Sequence, residues 1–257
     1  MAAFPLDTRA QSSLPLLASV VEQLHHEGFP KALSAWIQSL VPYNFTVVFG
    51  YHFEARPLDI YDDFPKSRQA VFVGDYLEGP YLLDPFCQAA IRPVAEGLYR
   101  LKDFAPDRFY QGEYFRTYYQ RTEIAEELGF FAQMPGDCQI VLSLMREERV
   151  FSVPECRKLS RHAPLICALM RQHWGKIASE FSARSKTSTP LPRLDRLTAR
   201  EREIVGFILK GHSSEATAAA LGISSGTVRI HRRNIYAKLS ISSQRELFAR
   251  FLAEIGS

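Results

Sequence analysis

The sequence has few cysteines and no long apolar runs. Its four cysteines have neither CxxC nor Cys/His ligand spacing, and three of them lie in apolar stretches typical of small buried hydrophobes: Cys87, Cys138, Cys156 and Cys167. We therefore expect no structural zinc and no other cofactor. No stretch of 18 apolar residues occurs, and the first residues lack a basic region followed by an apolar one. These absences predict a reduced, cytoplasmic protein with no membrane span.

Common enzyme motifs are also missing. The sequence contains no GxSxG, HExxH or P-loop, and its seven histidines are scattered. A phosphoacceptor receiver domain needs an acidic pair after its first strand, whereas Asp62-Asp63 follows the second strand of a predicted hairpin. We therefore expect neither an enzyme nor a phosphorelay receiver.

The charge of the chain is unevenly distributed. The 257 residues, 46% of them hydrophobic, leave room for one domain of ordinary size and one small domain. From Arg193 onward there are 11 basic and 6 acidic side chains, whereas residues 1–192 hold 20 and 22. The terminal part thus carries +5 and the rest −2, which indicates a polyanionic partner for the terminal part.

The last sixty residues contain closely spaced helix signals. Capping residues precede four segments with helical periodicity: Thr198, Ser213, Ser224 and Ser243. Gly211 and Gly222 follow two of these segments, where the end of a helix favours left-handed backbone angles. The spacing predicts a helix, a short helix, a tight turn, a longer helix and a final helix, which is a helix-turn-helix layout.

The third of these helices, roughly 225–239, separates apolar from basic side chains. At about 100° per residue, one side holds Val228, His231, Ile235 and Leu239. The opposite arc holds Arg229, Arg232, Arg233 and Tyr236. A solvated face is the simpler interpretation of an arginine run, but three guanidinium groups behind a predicted tight turn favour contact with phosphates and guanine edges.

The last sixty residues resemble the LuxR/GerE family of bacterial DNA-binding domains. The matching positions are Leu197-Thr198-x-Arg200-Glu201, Gly211, Ala218, Leu221-Gly222-Ile223-Ser224, Thr227-Val228-Arg229-x-His231-Arg232, Lys238-Leu239 and Leu247. The resemblance implies double-stranded DNA as the partner. It places these residues at DNA-facing positions, with the histidine at the edge: Thr227, Arg229, His231, Arg232, Arg233 and Lys238.

The sequence departs from the family pattern at two places. Glu215-Ala216-Thr217 stands where the family has Lys-Glu-Ile, and Gln244 stands where an arginine is common. An acid thus replaces a basic phosphate contact in the second helix. Because one recognition helix reads few base pairs, we also expect a homodimer on an inverted-repeat operator.

The preceding residues predict an α+β fold. Helical periodicity extends over 14–40 with a break near Gly28, and alternating patterns predict strands over 44–53, 58–64, 130–133 and 139–145. Further predicted helices cover 81–91, 112–127 and 154–181. This order favours a PAS/GAF-like antiparallel sheet sandwiched by helices, giving a sensor domain over 1–181, a linker over 182–193 and the four-helix domain over 194–257.

The aromatic stretch 70–120 resembles, more weakly, the autoinducer-binding domains that precede this DNA-binding module. Phe72-x3-Tyr76, Asp84-Pro85 and Tyr99 correspond to Trp-x3-Tyr, Asp-Pro and Trp at nearly the family spacing. The resemblance implies a small-molecule effector with Asp84 accepting its N–H. Because Phe72 has no donor for a lactone carbonyl, we expect an effector other than a typical acyl-homoserine lactone.

Several interpretations of this stretch remain open. The candidate ligand-binding residues are Phe72, Tyr76, Tyr81, Asp84, Phe86 and Tyr99. Aromatic residues in a small domain are often simply core, and Asp84 could be a helix N-cap. A carboxylate among aromatic rings would also suit an amine ligand. Alternatively, the first domain is a dimerisation or protein-interaction module without a ligand.

Overall fold

The computed structural model describes residues 8–53, 55–92, 94–184 and 196–255. The chain forms two compact units. The first, here called the sheet unit, comprises Met1–Pro65, Ala90–Arg100 and Ala125–Ser185. The second, the helical unit, comprises Lys66–Ala89, Leu101–Ile124 and Lys186–Ser257. The aromatic stretch is therefore divided between the two, and most of it is grouped with the C-terminal helices.

The sheet unit contains a five-stranded antiparallel sheet in the order β2-β1-β5-β4-β3. Its strands are β1 Phe45–His52, β2 Leu58–Asp62, β3 Gly97–Arg100, β4 Glu126–Met134 and β5 Cys138–Arg146. The predicted strand pairs are confirmed, although Glu54 of the predicted hairpin turn lies outside the described residues. β5 is buried along its whole length, as a central strand requires. The α+β class is thus confirmed.

The described part of the sheet unit contains four helices: α1 Thr8–Glu22, α2 Phe29–Leu40, α7 Val153–Trp174 and α8 Ile177–Arg184. One face of α2 is buried and shares a core with the apolar residues of the sheet and of α7. Ser152 and Glu155 form a capping box at the start of α7. The prediction of one continuous helix over 154–181 is wrong in detail, since α7 ends at Trp174 and α8 follows. α8 also covers 182–184 of the predicted linker, whose residues from 185 onward lie outside the described residues.

The helical unit begins with short elements. They are α3 Lys66–Gln69, a π-helical turn Ala70–Asp75, α4 Pro85–Ala90, α5 Leu101–Phe104, α6 Glu113–Thr117 and 3-10 turns at Pro80–Leu83, Phe109–Gln111 and Tyr119–Thr122. The predicted helix over 81–91 is interrupted at Asp84, which is extended because it precedes Pro85. The predicted helix over 112–127 is correct only in α6 and wrong beyond Thr117, since Glu123 has a left-handed φ of 59° and β4 begins at Glu126.

The unit ends in the four helices expected from the capping pattern. These are α9 Ala199–Lys210, α10 Ser214–Leu221, α11 Ser225–Leu239 and α12 Gln244–Ile255. Their buried apolar side chains include those of Ile204, Ile208, Val228, Ile235 and Phe251. None of the described helices is both long and apolar enough to cross a bilayer.

Candidate nucleic-acid interface and effector site

Local capping sets the directions of α9, α10 and α11. Thr198 and Glu201 form a complete capping box, while the hydroxyls of Ser213 and Ser224 accept the backbone N–H of the third residue beyond them. Three residues, 222–224, connect α10 to α11. The predicted helix-turn-helix layout is confirmed, and the two helices are joined as a DNA-binding motif requires.

The exposed side of α11 forms a continuous stripe. Its members, here called the α11 outer stripe, are Arg229, Ile230, Arg233, Asn234, Ala237 and Lys238. The opposite side is anchored by the buried residues Val228, Ile235 and Leu239. Ile230 is 54% exposed, although isoleucine is usually buried. The sequence prediction omitted Ile230 and Asn234. Ile230 lies three residues before Arg233 and Asn234 four before Lys238, and these helical spacings could have revealed both.

Arg232 differs from the two outward-facing arginines. Its Nε donates to the Tyr236 hydroxyl at 3.1 Å, and an Nη group donates to Gln244 Oε1 at 3.4 Å. Its guanidinium carbon lies 5.4 Å from the centroid of the Tyr236 ring. These contacts hold Arg232 half-buried beside the first residue of α12, while His231 is also half-buried. The DNA contacts proposed for both residues stay predictions.

Other predicted DNA-facing residues have partners inside the module. The Thr227 hydroxyl lies 2.8 Å from that of Ser224. Lys238 Nζ donates at 2.7 Å to the buried carboxylate of Glu201. This hydrogen bond is the main cause of the lowered pKa of Glu201, assisted by the hydrogen bonds from Thr198. Lys238 therefore stabilises the start of α9, a role that spacing within α11 alone could not reveal.

Asp84 is buried, and the side chains and amides around it satisfy its carboxylate. The Tyr76 hydroxyl donates to Oδ2 at 2.7 Å, the Phe86 N–H to Oδ1 at 3.0 Å and the Cys87 N–H to Oδ2 at 3.3 Å. Burial raises the pKa of Asp84, while these three hydrogen bonds lower it, and the raising effect prevails. The residue therefore caps the first turn of α4 and also accepts from an aromatic side chain eight residues away.

The structure gathers part of the predicted ligand set. Tyr76, Tyr81 and Phe86 are buried in the helical unit with Asp84, and the Tyr76 ring lies 6.2 Å from those of Tyr81 and Tyr118. Phe72 is likewise buried there, on the π-helical turn. Tyr99 belongs to the sheet unit. Its ring packs edge-on against Phe131 at 5.4 Å, and its hydroxyl donates to Ala95 O at 3.0 Å. Tyr118, which packs beside Tyr76, was not among the predicted residues.

Within the helical unit, the segments around Asp84 and residue 108 contact the α9–α10 turn. Lys210 Nζ donates at 2.6 Å to Oε1 of Gln88, on the helix that Asp84 caps. The Arg108 N–H donates to Gly211 O at 3.0 Å, and the Ser213 N–H donates to Asp107 Oδ1 at 3.0 Å. The turn that leads into the helix-turn-helix is thus held by the aromatic part of the chain.

Comparison with known proteins identifies the module. Residues 195–251 match the family described as bacterial regulatory proteins, luxR family. A relative in Aeromonas salmonicida, a "putative HTH-type transcriptional regulator in exeN 3'region", is 33% identical over 183 residues, covering 66% of this chain and 93% of the relative. The chain belongs to the LuxR family of transcription regulators. Its helix-turn-helix is thus a DNA-binding module of that family.

Two further likenesses are narrower. The monoamine regulon transcriptional regulator of Klebsiella aerogenes is 48% identical to this chain over 54 residues. The match covers 21% of this chain and 24% of that regulator. The crystal structure of the VqsR LBD domain from Pseudomonas aeruginosa resembles this chain with a TM-score of 0.56 at 22% identity, covering 65% of this chain and 97% of that one. The second likeness supports the α+β fold of the preceding part.

Proposed function

We propose that the protein binds promoter DNA as a homodimer on an inverted repeat and responds to a small-molecule effector. The observation that carries this proposal is the α11 outer stripe, which presents two arginines on a helix whose opposite side is buried. We propose that the protein acts in the cytoplasm, where promoter DNA is accessible.

The α11 outer stripe has the chemistry to read base edges. Arg229 and Arg233 suit the O6 and N7 acceptors of guanine, and the exposed Ile230 side chain suits a thymine methyl group. Such contacts are worth about 1–3 kcal/mol per well-formed arginine–guanine pair. Since one helix reaches only a few base pairs, two copies about one DNA turn apart supply the specificity of a promoter site.

The Asp84 site supports an effector that offers a hydrogen-bond donor or a positive charge. A buried carboxylate among aromatic rings binds such groups strongly because little water competes there. Phe72 supplies no donor for a lactone carbonyl, so we propose an effector other than a typical acyl-homoserine lactone. The hydrogen bond between Lys210 and Gln88 offers a short route from this site to α9.

One observation favours a second candidate, a first domain that works without a ligand. Tyr76, Phe86 and Cys87 already donate to both carboxylate oxygens of Asp84. A residue with this many internal partners can serve packing and capping alone. In that case the domain would act through dimerisation or protein contacts.

Mass spectrometry separates the two candidates. The full-length protein is purified from its native host, and small molecules are extracted from wild type and from Asp84→Asn. A compound bound stoichiometrically to wild type and lost from the variant supports the effector site. Extracts without any such compound, from protein that still shifts promoter DNA in a gel, would support the ligand-free alternative.

A further inference from the structure

A polar contact joins the two helices of the helix-turn-helix. Glu215, the second residue of α10, accepts a hydrogen bond from Nη2 of Arg229 on α11, with 2.7 Å between nitrogen and Oε1. Both side chains are well exposed, at 56% and 66%. The contact therefore lies at the surface of the module and involves Arg229, a member of the α11 outer stripe.

Stability does not explain this pair. Exposed ion pairs contribute little to folding because water screens the charges and two long side chains lose freedom. The pKa of Glu215 is lowered, first by its own backbone N–H and then by Arg229, so the carboxylate is ionised at neutral pH. What the contact does provide is one preferred direction for the guanidinium of Arg229.

The position of Glu215 makes its charge costly for DNA binding in general. It lies in the first turn of α10, where the N-terminal end of a helix attracts phosphate. A carboxylate at this place repels a DNA backbone of any sequence. An acid here stabilises the start of α10, but so would one without a partner on α11. The hydrogen bond to Arg229 is the feature that points to a role in base discrimination.

We propose that Glu215 is a specificity-determining residue that positions Arg229 for one base pair. A guanidinium has five N–H donors, so one bond to Glu215 leaves donors for both guanine acceptors. Fixing the side chain before binding favours the base pair that matches its direction over other pairs. The inference rests on the proposed function, in which the α11 outer stripe reads base edges.

The test compares base preference with overall affinity. Binding sites are selected from random DNA with the full-length protein, and dissociation constants are measured for the selected site, for each substitution in it and for unrelated DNA. The variants are Glu215→Ala, Glu215→Gln, Arg229→Ala and the double variant Glu215→Ala/Arg229→Ala. Glu203→Ala is the matched control, because Glu203 is an exposed acid of the same module that pairs with Arg200 instead.

We expect Glu215→Ala to reduce discrimination at one base pair by about fivefold or more, within the range of one arginine–guanine contact. Binding to unrelated DNA should stay equal or tighten. Arg229→Ala should abolish discrimination at the same base pair, and adding Glu215→Ala should then change it no further. Glu215→Gln should fall between wild type and Glu215→Ala, while Glu203→Ala should keep the wild-type preference.

Two results would overturn the inference, and they are distinguishable. If Glu215→Ala tightens binding to all sequences by one factor and leaves base preference unchanged, Glu215 is only a repulsive charge. If Arg229→Ala itself leaves base preference unchanged, the proposed reading by α11 is wrong and the role of Glu215 fails with it. Melting temperatures of all variants identify any loss of binding that comes from unfolding.

Discussion

At the scale of single residues, the oxygens of Asp84 serve a helix cap and an aromatic hydroxyl at once. Asp84→Asn would alter both contacts together, so Tyr76→Phe is the cleaner change. Removing this hydroxyl leaves a buried carboxylate with one donor fewer, which we expect to cost about 1–3 kcal/mol of folding stability. Chemical denaturation measures this loss.

Tyr118→Phe is the control for that prediction. Tyr118 is buried in the same aromatic group, but its hydroxyl donates to the uncharged backbone oxygen of Val71 at 3.1 Å. Tyr118→Phe should therefore cost less folding stability than Tyr76→Phe. An equal loss of folding stability in the two variants would mean that the charge on Asp84 does not strengthen its hydrogen bond with Tyr76.

His173 gives the fold a defined sensitivity to acid. Burial lowers its pKa to about 4, helped by the nearby His25 and His26. Its Nδ1 accepts the backbone N–H of His25 at 3.0 Å, and its ring stacks on Phe29 at 4.0 Å, so the folded protein favours the neutral ring. The unfolded chain binds this proton near pH 6.5. The contribution of His173 is thus fully present above that pH and is lost as the pH falls from about 6.5 to about 4.

His173→Gln tests this dependence. Melting temperatures are measured from pH 7.5 down to pH 4 for both proteins. The wild type should lose more stability than the variant between pH 6.5 and pH 4, since only the wild type carries the linked proton. Parallel curves over this range would show that His173 takes up its proton equally in the folded and unfolded states.

At the scale of elements, two helix-ending glycines form a matched pair. Gly211 and Gly222 both have left-handed angles, with φ of 93° and 64°. A Cβ on Gly211 would lie 3.1 Å from the Phe109 Cα, whereas a Cβ on Gly222 would meet no atom of the described residues within 4 Å, its chain neighbours and its own helix aside. Gly222→Ala should therefore cost only the backbone strain, about 1 kcal/mol.

Gly211→Ala should cost more, because it also strains the contact between the α9–α10 turn and Phe109. Thermal unfolding of the two full-length variants gives the difference. A clearly lower melting temperature for Gly211→Ala is expected. Equal melting temperatures would argue that residues 108–109 do not hold the turn tightly in solution.

The sequence predicted those elements whose signals are local. Thr198, Ser213 and Ser224 marked helix starts correctly because capping depends on residues within one turn. β3 was missed because a four-residue strand, Gly97–Arg100, is too short to show alternation, and its pairing with β4 is a long-range property. The helix over 112–127 failed because its last residues belong to that same sheet.

At the candidate sites too, features set within one helix were predictable from the sequence, and contacts between helices were not. Helical spacing correctly placed Val228, Ile235 and Leu239 on the buried side of α11 and two arginines, Arg229 and Arg233, on the exposed side. It did not predict that Arg232 packs on Tyr236 and Gln244, or that Lys238 pairs with Glu201. These contacts depend on how α9, α11 and α12 cross, which no single helix encodes.

At the scale of the whole molecule, we expect the regulator to act as a pair. Footprinting on a selected promoter fragment should show two protected half-sites whose centres are about 34 Å, or one DNA turn, apart. Moving the half-sites apart by half a turn should abolish tight binding, because the two modules would then face different sides of the duplex. Unchanged affinity after that insertion would contradict the dimer.

The central claim is that the α11 outer stripe reads DNA sequence, and the affinity of Arg229→Ala for a selected operator tests it most directly. Arg245→Ala serves as the control, because Arg245 is an exposed arginine of the same module on α12. At fixed salt, we predict that Arg229→Ala loses about 1–3 kcal/mol of operator affinity and relaxes sequence preference, while Arg245→Ala keeps the preference. Wild-type affinity and wild-type preference in a folded Arg229→Ala protein would contradict the account.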